Sequence, residues 1–493
     1  MITTDSQASL ALLTDLYQLT MAYGYWSRAK AEDTAVFHLF FRRSPFRGEY
    51  LVTAGLKPVV DFLSTFRFDA DDLAFLETIE GNDGKPLFSM DFLGYLNTMK
   101  LSVDVDAVPE GTVMFPHEPL LRISGPILQC QLLETALLNI INFQSLIATK
   151  ASRICRAAKG QPVLEFGLRR AQGIDGALAA SRAAYIGGCA ATSNVLAGKR
   201  FGIPVKGTHA HSWVMSFDDE LTAFREYAAA MPNNCVFLVD TYDTIDGVRH
   251  AIQVGKHLKE AGHKMVGIRL DSGDLASLSI TARQMLDEAG FADAAIVASN
   301  DLDERLIESL QAQGSQINIW GVGTKLVTAY DQPALGGVYK LGAIRKAPAE
   351  NSTVIEDWQP RLKLSEQPIK TSTPGILQVR RFRDAHGFFS GDMIWNLLQP
   401  VANDVTIVDL ANPTRSHRMN AQDSGEDLLQ PVLRNGQVVA DLPSLDEARS
   451  RAQRELQQLH PPVLRFDNPE RYRVGLEGSL HDLKARMIAE ATP

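Results

Sequence analysis

The chain has 493 residues, 45% of them hydrophobic and 22% charged, a balance typical of folded globular proteins. This length exceeds one ordinary domain, so we expect two or three units, or one large α/β barrel with additions. The formal net charge of −9 argues against a general nucleic-acid or membrane-surface binder, because both tasks usually need a basic face.

The first hundred residues predict a layer of helix and strand. A helical stretch, "LLTDLYQLTMAYGYW", comes first, and the alternating "TAVFHLFFRR" indicates a strand. From Ile127 to about Ala158 the apolar period becomes helical, which predicts one long helix or two in sequence. Because this apolar stretch contains Glu134 and several amides, we expect a buried helix and not a membrane span.

After Gly160 short apolar strands alternate with helices, which is the pattern of parallel βα units. The predicted strands are "PVLEFG", "IPVKGTHA", "CVFLVDT", "MVGIRL", "AAIVASN" and "INIWGVG". The helices between them include "DTIDGVRHAIQVGKHLKEAG", "LASLSITARQMLDEAG" and "LDERLIESLQAQG", and each ends in a glycine suited to a left-handed C-cap.

Each predicted strand runs directly into polar or glycine residues. In a barrel of parallel strands these ends share one face, where active sites of this architecture lie. A strand also ends in polar residues simply because it meets water, but six such ends favour a shared site. These residues are Arg169 and Arg170, Thr208 to His211, Asp240, Arg269 with Asp271, Ser299 to Asp301, and Gly323 with Thr324.

From Ala347 the stretch "KAPAENSTVIEDWQPRLKLSEQPIKTSTPG" predicts a linker or a set of surface loops. Beyond it, "ILQVRRFRDAHGFFSGDMIW" and "PVLRNGQVVADL" indicate hairpins with turns at Asp384 to Gly387 and at Asn435-Gly436. A helix then begins at Ser444, where Glu447 completes a capping box.

The cysteines and the N-terminus bear on location. Cys130, Cys155, Cys189 and Cys235 form no C-x-x-C pair, which fits reduced buried thiols better than a disulfide framework or a zinc site. The opening "MITTDSQASL" lacks the basic and apolar regions of a signal peptide. Both features predict a cytoplasmic protein.

The strand end "INIWGVGTKL" is a candidate phosphate site. Its glycines, Gly321 and Gly323, allow backbone amides to approach a phosphate closely, and Thr324 supplies a hydroxyl. The late loops of a barrel are also its usual phosphate site. The same pattern makes an ordinary turn, so the interpretation depends on its neighbours.

The stretch "IRLDSGDL" places Arg269 and Asp271 on one side of a strand. A guanidinium that binds carboxylate or phosphate, beside a carboxylate that binds a ribose hydroxyl or Mg²⁺, suits a sugar substrate with anionic groups. A salt bridge at the barrel rim is the structural alternative. Asp240 and Asp243 are further candidate metal ligands, although Asp243 also suits the N-cap of the next helix.

The interval between Asp175 and Asp218 contains no acidic residue. Such an interval in an acidic protein predicts a local cationic pocket for an anionic substrate. The basic residues in this interval are Arg182, Lys199, Arg200 and Lys206. A solvated basic helix surface is the alternative interpretation, and it is favoured for Lys199 and Arg200.

Two histidines, His209 and His211, lie in "KGTHAHSWVM" and point to one face if the segment is extended. Such a pair can bind a catalytic metal when other strands supply histidine or carboxylate ligands. The later histidines fall on or just after a predicted helix instead. A single working histidine is therefore favoured over a metal pair.

Seven stretches in this order resemble the nicotinate phosphoribosyltransferase family, and the resemblance continues into the C-terminal "NPERYRVGLEGSLHDLKARMI". The stretches are "LLTDLYQLTMAYGYW", "EFGLRRAQGIDG", "GTHAHSWVMSF", "VDTYDT", "IRLDSGDL", "ASNDLDE" and "GVGTKLVTAYDQPALGGVYKL".

The resemblance implies an irregular parallel α/β barrel plus an open-faced α+β sandwich built from N- and C-terminal segments. On that fold we expect the sandwich at residues 1–125 and 346–493 and the catalytic barrel at 126–345. The implied reaction joins nicotinate and phosphoribosyl pyrophosphate to nicotinate mononucleotide and pyrophosphate, with ATP hydrolysis and Mg²⁺, in NAD salvage. A homodimer is also implied.

The same resemblance implies roles for individual residues. His211 is expected to be phosphorylated by ATP, and Asp271 to face the ribose and the metal, with Asp240 and Asp243 as further Mg²⁺ candidates. His209 occupies a variable position of the family pattern, so its replacement is expected to cost little. The nicotinate contacts are expected from Tyr17, Arg169, Thr208 and Arg269, and the 5′-phosphate contacts from Ser299, Asn300, Gly323 and Thr324.

Three other functions compete with this one. The nicotinamide-specific family places an aspartate in the segment before the histidines, and the acid-free interval offers none, which favours a carboxylate substrate. A metal-dependent barrel hydrolase would use His209 and His211 together. A non-catalytic barrel that binds nucleotides for regulation is the third alternative.

Overall fold

The computed structural model describes residues 9–347, 357–401, 405–410, 412–419 and 424–491. The chain forms two compact units, one from Met1–Ser145 with Ala334–Pro493 and the other from Leu146–Pro333. The domain limits expected from the sequence, at residues 126 and 345, stay a prediction. No helix within the described ranges combines the length and the apolar character that crossing a bilayer requires.

The N-terminal segment of the first unit confirms the predicted opening helix and strand. Its helices are α1 (Leu16–Ser27), α2 (Leu56–Thr65), α3 (Ala70–Glu77), α4 (Met90–Thr98), α5 (Ile127–Leu132) and the start of α6 (Glu134–Ala157). Its strands are β1 (Thr34–Phe41), β2 (Leu51–Val52), β3 (Asp104–Ala107), β4 (Val113–Met114) and β5 (Leu121–Pro126). Two helices in sequence, α5 and α6, therefore occupy the stretch that follows Pro126.

The second unit is a parallel sheet with helical connections. Its strands are β6 (Val163–Glu165), β7 (Ala191–Thr192), β8 (Val236–Leu238), β9 (Gly267–Leu270), β10 (Ala295–Ala298) and β11 (Ile319–Val322), in the order β7-β6-β11-β10-β9-β8. Its helices are α7 (Gly173–Ile186), α8 (Val195–Phe201), α9 (His211–Met215), α10 (Glu220–Ala230), α11 (Thr244–Glu260), α12 (Leu275–Glu288), α13 (Glu304–Ala312) and α14 (Thr324–Val327). Every strand pair in this sheet is parallel.

Five of the six predicted strands of this unit are confirmed, and the strand "IPVKGTHA" is wrong. Val205 makes only an isolated bridge to Thr192, and the chain then leaves the sheet. Pro204 has no amide to donate and glycines flank the segment at Gly202 and Gly207, so a continuous ladder cannot form. Closure of the sheet into a barrel is not confirmed, because no β7–β8 pairing occurs in the part of the chain that is described.

The C-terminal segment returns to the first unit. Its elements are β12 (Gly337–Arg345), β13 (Gln359–Pro360), β14 (Leu377–Arg383), β15 (Phe389–Asn396), β16 (Thr406–Asp409), β17 (Ser416–Arg418), β18 (Ser424–Asp427), β19 (Gln430–Arg434), β20 (Gln437–Val438), α15 (Leu445–Gln457), β21 (Val474–Glu477) and α16 (Gly478–Ala491). They complete a sheet of order β13-β12-β1-β5-β3-β19-β20 and form a second of order β17-β16-β21-β15-β14-β18. The expected α+β unit built from both ends of the chain is thus confirmed.

Local predictions in this segment also hold. Strands β14 and β15 form a hairpin, and Asn435 and Gly436 have φ of 49° and 72°, as a tight hairpin turn requires. The capping box of Ser444 and Glu447 is present at the start of α15. Part of the expected linker, residues 348–356, lies outside the described residues. The rest of that stretch includes β13, which pairs with β12.

A buried ion network ties together distant parts of the first unit. The fully buried Arg381 donates to Asp392 at 2.6 Å and to Glu455 at 3.0 Å, and also to the carbonyl of Val113 at 2.7 Å. Tyr472 donates its hydroxyl to Asp392 at 2.9 Å. Because each buried carboxylate depends on the guanidinium for its counter-charge, the network joins β14, β15, β4 and α15.

We predict that Arg381→Leu lowers the free energy of unfolding by about 3–5 kcal/mol, because Asp392 and Glu455 are then buried without a counter-charge. Urea unfolding followed by circular dichroism measures this loss. The neighbouring Arg380→Leu is the control, since its pair with Asp427 is partly exposed and is expected to contribute about 1 kcal/mol or less. Equal losses in the two variants would contradict the prediction.

Candidate active site

The carboxyl ends of neighbouring parallel strands bring most of the predicted site residues of the second unit together. Arg269 pairs in register with Leu238 of β8 and with Val297 of β10. The polar residues that follow these strands therefore lie side by side, as the sequence predicted. They are Asp240 after β8, Asp271 after β9, Ser299 and Asn300 after β10, and Gly323 with Thr324 after β11.

Arg269 is the centre of this cluster. Its guanidinium donates from Nη2 to Asp271 Oδ1 at 3.0 Å, from Nε to Ser299 Oγ at 2.9 Å, and from Nη1 to Thr208 Oγ1 at 3.2 Å. Ser299 in turn donates its hydroxyl to Asp271. The side chain is only 14% exposed, so these bonds hold it in one orientation. The salt bridge between Arg269 and Asp271, which the sequence analysis named as the structural alternative to a substrate site, is present.

A cavity of about 240 Å³ opens beside this cluster. Two of its lining side chains, Arg169 and Arg269, are cationic and none is acidic, while Phe166 supplies an aromatic wall 5.8 Å from the Arg269 guanidinium. The cavity therefore suits a small aromatic anion. Its lining residues are Phe166, Leu168, Arg169, Ser193, Gly207, Thr208, His209, Ala210 and Arg269.

The turn that carries Arg169 is positioned by a buried carboxylate. Glu165 accepts from Ser181 Oγ at 2.8 Å, from Thr192 Oγ1 at 2.6 Å and from the Gly167 amide. This side chain links the end of β6 to α7 and β7, so the short helical turn Leu168–Arg170 begins from a fixed point. Arg169 itself is exposed at the rim of the cavity and is free to meet an anion from solvent.

His211 begins helix α9 and faces two carboxylates. Its Nδ1 lies 3.1 Å from Thr241 Oγ1, whereas Nε2 lies 3.8 Å from Asp271 Oδ2 and 4.0 Å from Asp240 Oδ1. The imidazole is 40% exposed, and Nε2 makes no hydrogen bond within the described residues. One ring nitrogen is thus held by a hydroxyl while the other is presented to incoming groups.

Asp240 has one oxygen that fits a cation. Its Oδ2 accepts from the Asp271 amide at 2.8 Å and from Ser272 Oγ at 2.6 Å. Its Oδ1 is buried and has no hydrogen-bond partner within the described residues, and it lies 4.0 Å from His211 Nε2. Two carboxylates without a full cage suit Mg²⁺, which usually takes one or two carboxylates and completes its shell with substrate phosphates and water.

Asp243 and His209 do not belong to the cluster formed by Asp240, Asp271 and His211. Asp243 is the N-cap of α11 and accepts from the Asp246 amide at 2.9 Å. His209 turns away from His211, because its Nε2 accepts from the Leu238 amide at 3.3 Å. The ring nitrogen that a metal pair would need is therefore occupied. No group of three or more His, Cys, Asp or Glu with metal-binding geometry occurs in the described ranges.

The expected phosphate-binding residues lie on two neighbouring turns. Asn300 and Asp301 have φ of 99° and 39°, a conformation that asparagine and aspartate tolerate better than most residues. Gly323 and Thr324 begin α14 at the end of the adjacent strand. The two turns are joined by an ion pair between Lys325 and Asp303 at 2.6 Å, which sequence reasoning missed because the partners are far apart in the chain.

Tyr17 belongs to the other unit. It lies on α1, 49% exposed, in the first turn after the N-cap residue Asp15. Asp15 accepts from Thr135 Oγ1 at 2.8 Å, so the start of α1 is fixed within that unit. The predicted stacking of Tyr17 on the substrate stays a prediction.

Sequence reasoning also missed a cationic cavity of about 490 Å³ in the first unit. Burial lowers the pKa of Lys484 to about 8, and burial together with Lys484, Arg42 and Arg471 lowers the pKa of His117 to about 4. Such a cluster suits an anion with several charges. Its charged lining comes from three distant segments and comprises Arg42, Arg43, Glu49, His117, Arg471 and Lys484.

Comparison with known proteins matches this architecture along the chain. Family models described as the nicotinate phosphoribosyltransferase N-terminal domain, family and C-terminal domain match residues 12–142, 162–387 and 377–484. Nicotinate phosphoribosyltransferase from Bacillus subtilis is 43% identical over 98% of this chain and 97% of its own length. The human protein of that name is 37% identical over 99% and 98%.

A solved structure agrees with the sequence comparisons. The crystal structure of human nicotinic acid phosphoribosyltransferase superposes with a TM-score of 0.83 at 35% identity, covering 96% of this chain and 99% of that one. Coverage of both chains is nearly complete, so the similarity extends through the catalytic and flanking domains. The chain therefore belongs to the nicotinate phosphoribosyltransferase family of phosphoribosyltransferase enzymes.

Proposed function

We propose that the chain converts nicotinate and phosphoribosyl pyrophosphate to nicotinate mononucleotide and pyrophosphate, with hydrolysis of ATP and with Mg²⁺, in NAD salvage. The observation that carries the proposal is the cavity lined by Arg169, Arg269 and Phe166, without an acidic side chain. Nicotinate is a small aromatic carboxylate, so its charge matches the guanidinium groups and its ring matches the phenyl wall. Nicotinamide is neutral and therefore lacks the negative charge that would pair with Arg169 and Arg269.

In this proposal the nicotinate carboxylate binds Arg169, Arg269 and Thr208, and these contacts orient the pyridine nitrogen toward the ribose. The nitrogen attacks C1 of the ribose while the bond from C1 to the pyrophosphate oxygen breaks, so positive charge grows on the sugar. Asp271, which faces outward beside Arg269, is placed to stabilise that charge. Holding both reactants in line contributes much of the rate enhancement.

The 5′-phosphate of the donor is assigned to the turns after β10 and β11. Ser299 and Asn300 supply polar groups on one turn, and Gly323 and Thr324 supply an amide and a hydroxyl on the other. Their adjacency in the sheet and the Lys325–Asp303 pair support this assignment. Tyr17 is kept as the proposed stacking partner of the pyridine ring, since the residue is 49% exposed.

Asp240 and Asp271 are the proposed carboxylates for Mg²⁺, and the capping bond of Asp243 favours these two over Asp243. The buried Oδ1 of Asp240 is the atom that supports this assignment. Mg²⁺ bound there would offset negative charge on the departing pyrophosphate. The two side chains hold their positions without it, because Asp240 is fixed by Ser272 and Asp271 by Arg269.

His211 is the proposed acceptor of the ATP phosphoryl group. With its proton on Nδ1, the ring donates to Thr241, and Nε2 attacks the γ-phosphorus as the bond to ADP breaks. Water later cleaves the phosphorus–nitrogen bond and releases inorganic phosphate. Because Nε2 lies about 4 Å from two carboxylates, the phosphoryl group adds negative charge where the Mg²⁺ and donor bind, which couples ATP to donor affinity.

A further feature of the first unit supports the proposal. Exposed apolar residues at and just before the start of α1 support a homodimer, because exposed apolar surfaces often mark protein–protein interfaces. These residues are Leu10, Leu13, Leu16 and Met21. A cytoplasmic location is proposed as well, consistent with cysteines that form no disulfide in the described ranges.

We predict that purified protein releases pyrophosphate from phosphoribosyl pyrophosphate with nicotinate, and that ATP stimulates the release. Nicotinamide should be used with a kcat/KM at least about a hundredfold lower, because its amide cannot form charge-assisted bonds with Arg169 and Arg269. Pyrophosphate release with each pyridine, with and without ATP, measures both effects. Equal use of the two pyridines would contradict the proposed substrate.

Arg169→Gln should raise the KM for nicotinate by roughly tenfold to a hundredfold, because one charged hydrogen bond contributes about 1.5–3 kcal/mol. The exposed position of Arg169 means that thermal stability should not change. Arg170→Gln, in the same helical turn but outside the cavity lining, is the matched control and should retain a KM close to that of the parent. A similar KM increase in both variants would remove Arg169 from the substrate site.

We predict that His211→Ala loses ATP stimulation and keeps slow synthesis without ATP. Its rate with ATP should fall to the rate of the parent protein without ATP, because the phosphoryl acceptor is gone while the nicotinate cavity is intact. Pyrophosphate release and transfer of label from γ-labelled ATP to the protein measure the two parts. Complete loss of the reaction without ATP would assign His211 a direct part in chemistry instead.

A further inference from the structure

His209 is buried among aromatic rings, although the sequence placed it as a dispensable neighbour of His211. Only 7% of the residue is exposed. Its ring centroid lies 4.8 Å from that of Tyr227, 5.9 Å from Phe224 and 6.5 Å from Phe237. The expectation that replacing His209 costs little stays a prediction, but a buried side chain in such a cluster contributes packing, which argues against it.

The ring also makes a directed hydrogen bond. Nε2 accepts from the Leu238 amide at 3.3 Å, at the end of β8, and Nδ1 lies 3.5 Å from the Ala210 carbonyl. Burial, with Arg269 and His211 as further causes, lowers the pKa of His209 to about 4. The imidazole is therefore neutral at physiological pH, with its proton on Nδ1 and its acceptor on Nε2.

The segment that carries His209 has few other attachments. The amides of residues 207–210 donate no hydrogen bond to any part of the chain that the structure describes. Lys206 still bonds β7 through the Thr192 carbonyl at 3.0 Å, and α9 begins at His211. Between these points the side chains of Thr208 and His209 hold the segment, one through Arg269 and the other through Leu238.

Two parallel attachments connect this segment to the end of β8. His209 binds Leu238, and two residues later His211 binds Thr241. Asp240, whose Oδ1 faces His211 Nε2, lies in the chain between those two anchor points. The two attachments together hold the ring of His211 beside Asp240 and Asp271.

We propose that His209 is a positioning residue: its imidazole fastens the Gly207–Ala210 segment to β8 and so places Thr208 for the nicotinate carboxylate and His211 for phosphorylation. This inference rests on the proposed function, and it adds a role for a residue to which the proposed reaction itself assigns none. His209 is one of the lining residues of the nicotinate cavity, but no step of the proposed reaction uses it. It acts through the Leu238 amide and through the backbone on both sides of its own position.

The test uses full-length protein with three substitutions. His209→Phe fills the aromatic cluster but offers no acceptor to Leu238, whereas His209→Gln can place Oε1 near the position of Nε2. Phe224→Leu is the control, because it loosens the same cluster and leaves the acceptor in place. For each protein we would measure the thermal unfolding midpoint, KM for nicotinate, kcat, and the rate of labelling from γ-labelled ATP.

His209→Phe should lower kcat/KM for nicotinate and the labelling rate by about tenfold or more, since a buried amide loses its partner. His209→Gln should recover most of both losses. Phe224→Leu should lower the unfolding midpoint but keep labelling close to that of the parent. Labelling and kcat/KM that are unchanged in His209→Phe, or lowered equally in Phe224→Leu at a similar midpoint, would overturn the proposal.

A further pair keeps the test decisive if His209→Phe does not fold. His209→Asn carries its oxygen near the position of Nδ1 and cannot reach Leu238, so the proposal requires it to be impaired while His209→Gln is active. Equal labelling in these two variants would overturn the proposal. The parent protein separates this result from failure of the proposed function, because a parent that makes no nicotinate mononucleotide refutes the function itself.

Discussion

The arrangement of the second unit depends on the guanidinium of Arg269. One planar group donates to Asp271, Ser299 and Thr208, which come from the end of β9, the end of β10 and the segment after β7. A lysine ammonium has no fixed plane and cannot set three directions in this way. Each of these three acceptors is itself a predicted site residue. The guanidinium therefore fixes the Asp271 carboxylate and the Ser299 and Thr208 hydroxyls relative to one another.

The site also has a cationic part and an acidic part. Cationic side chains, Arg169 and Arg269, line the cavity, whereas Asp240 and Asp271 face His211 on the other side. An aromatic anion and a cation or phosphorylated imidazole therefore have distinct places within one small region. In the proposed reaction this separation keeps the substrate carboxylate from competing for the metal carboxylates.

Much of the fold could be predicted because its signals are local. Apolar strands that end in polar residues predicted β6 and β8 to β11, and glycines with positive φ at positions 262, 290 and 314 follow the helices they were expected to end. The site residues at strand ends followed from the same pattern. The resemblance to the family added the chemistry, which composition and spacing alone do not identify.

The wrong strand and the contacts that the sequence did not indicate depend on residues that are distant in the chain. The spacing of His209 and His211 implies a shared face only on a strand, and the hydrogen bonds that would make a strand of that segment are not formed. The metal assignment of Asp243 stays a prediction, because an aspartate at a helix N-cap also suits a ligand and spacing cannot choose between the two roles. The hydrogen bonds that Ser181 and Thr192 donate to Glu165, the Lys325–Asp303 pair and the cationic cavity all join residues that are distant in sequence.

The position of the Phe166 ring, which forms the aromatic wall of the cavity, depends on the absence of a side chain at Gly321. Gly321, in the middle of β11, lies under the ring of Phe166, and a Cβ there would come within 2.8 Å of that ring. Any larger residue at position 321 must therefore displace the ring or the strand beneath it, and so reshape the wall of the cavity. If the cavity holds the pyridine as proposed, its substrate range can evolve at a position in the sheet that the substrate does not contact.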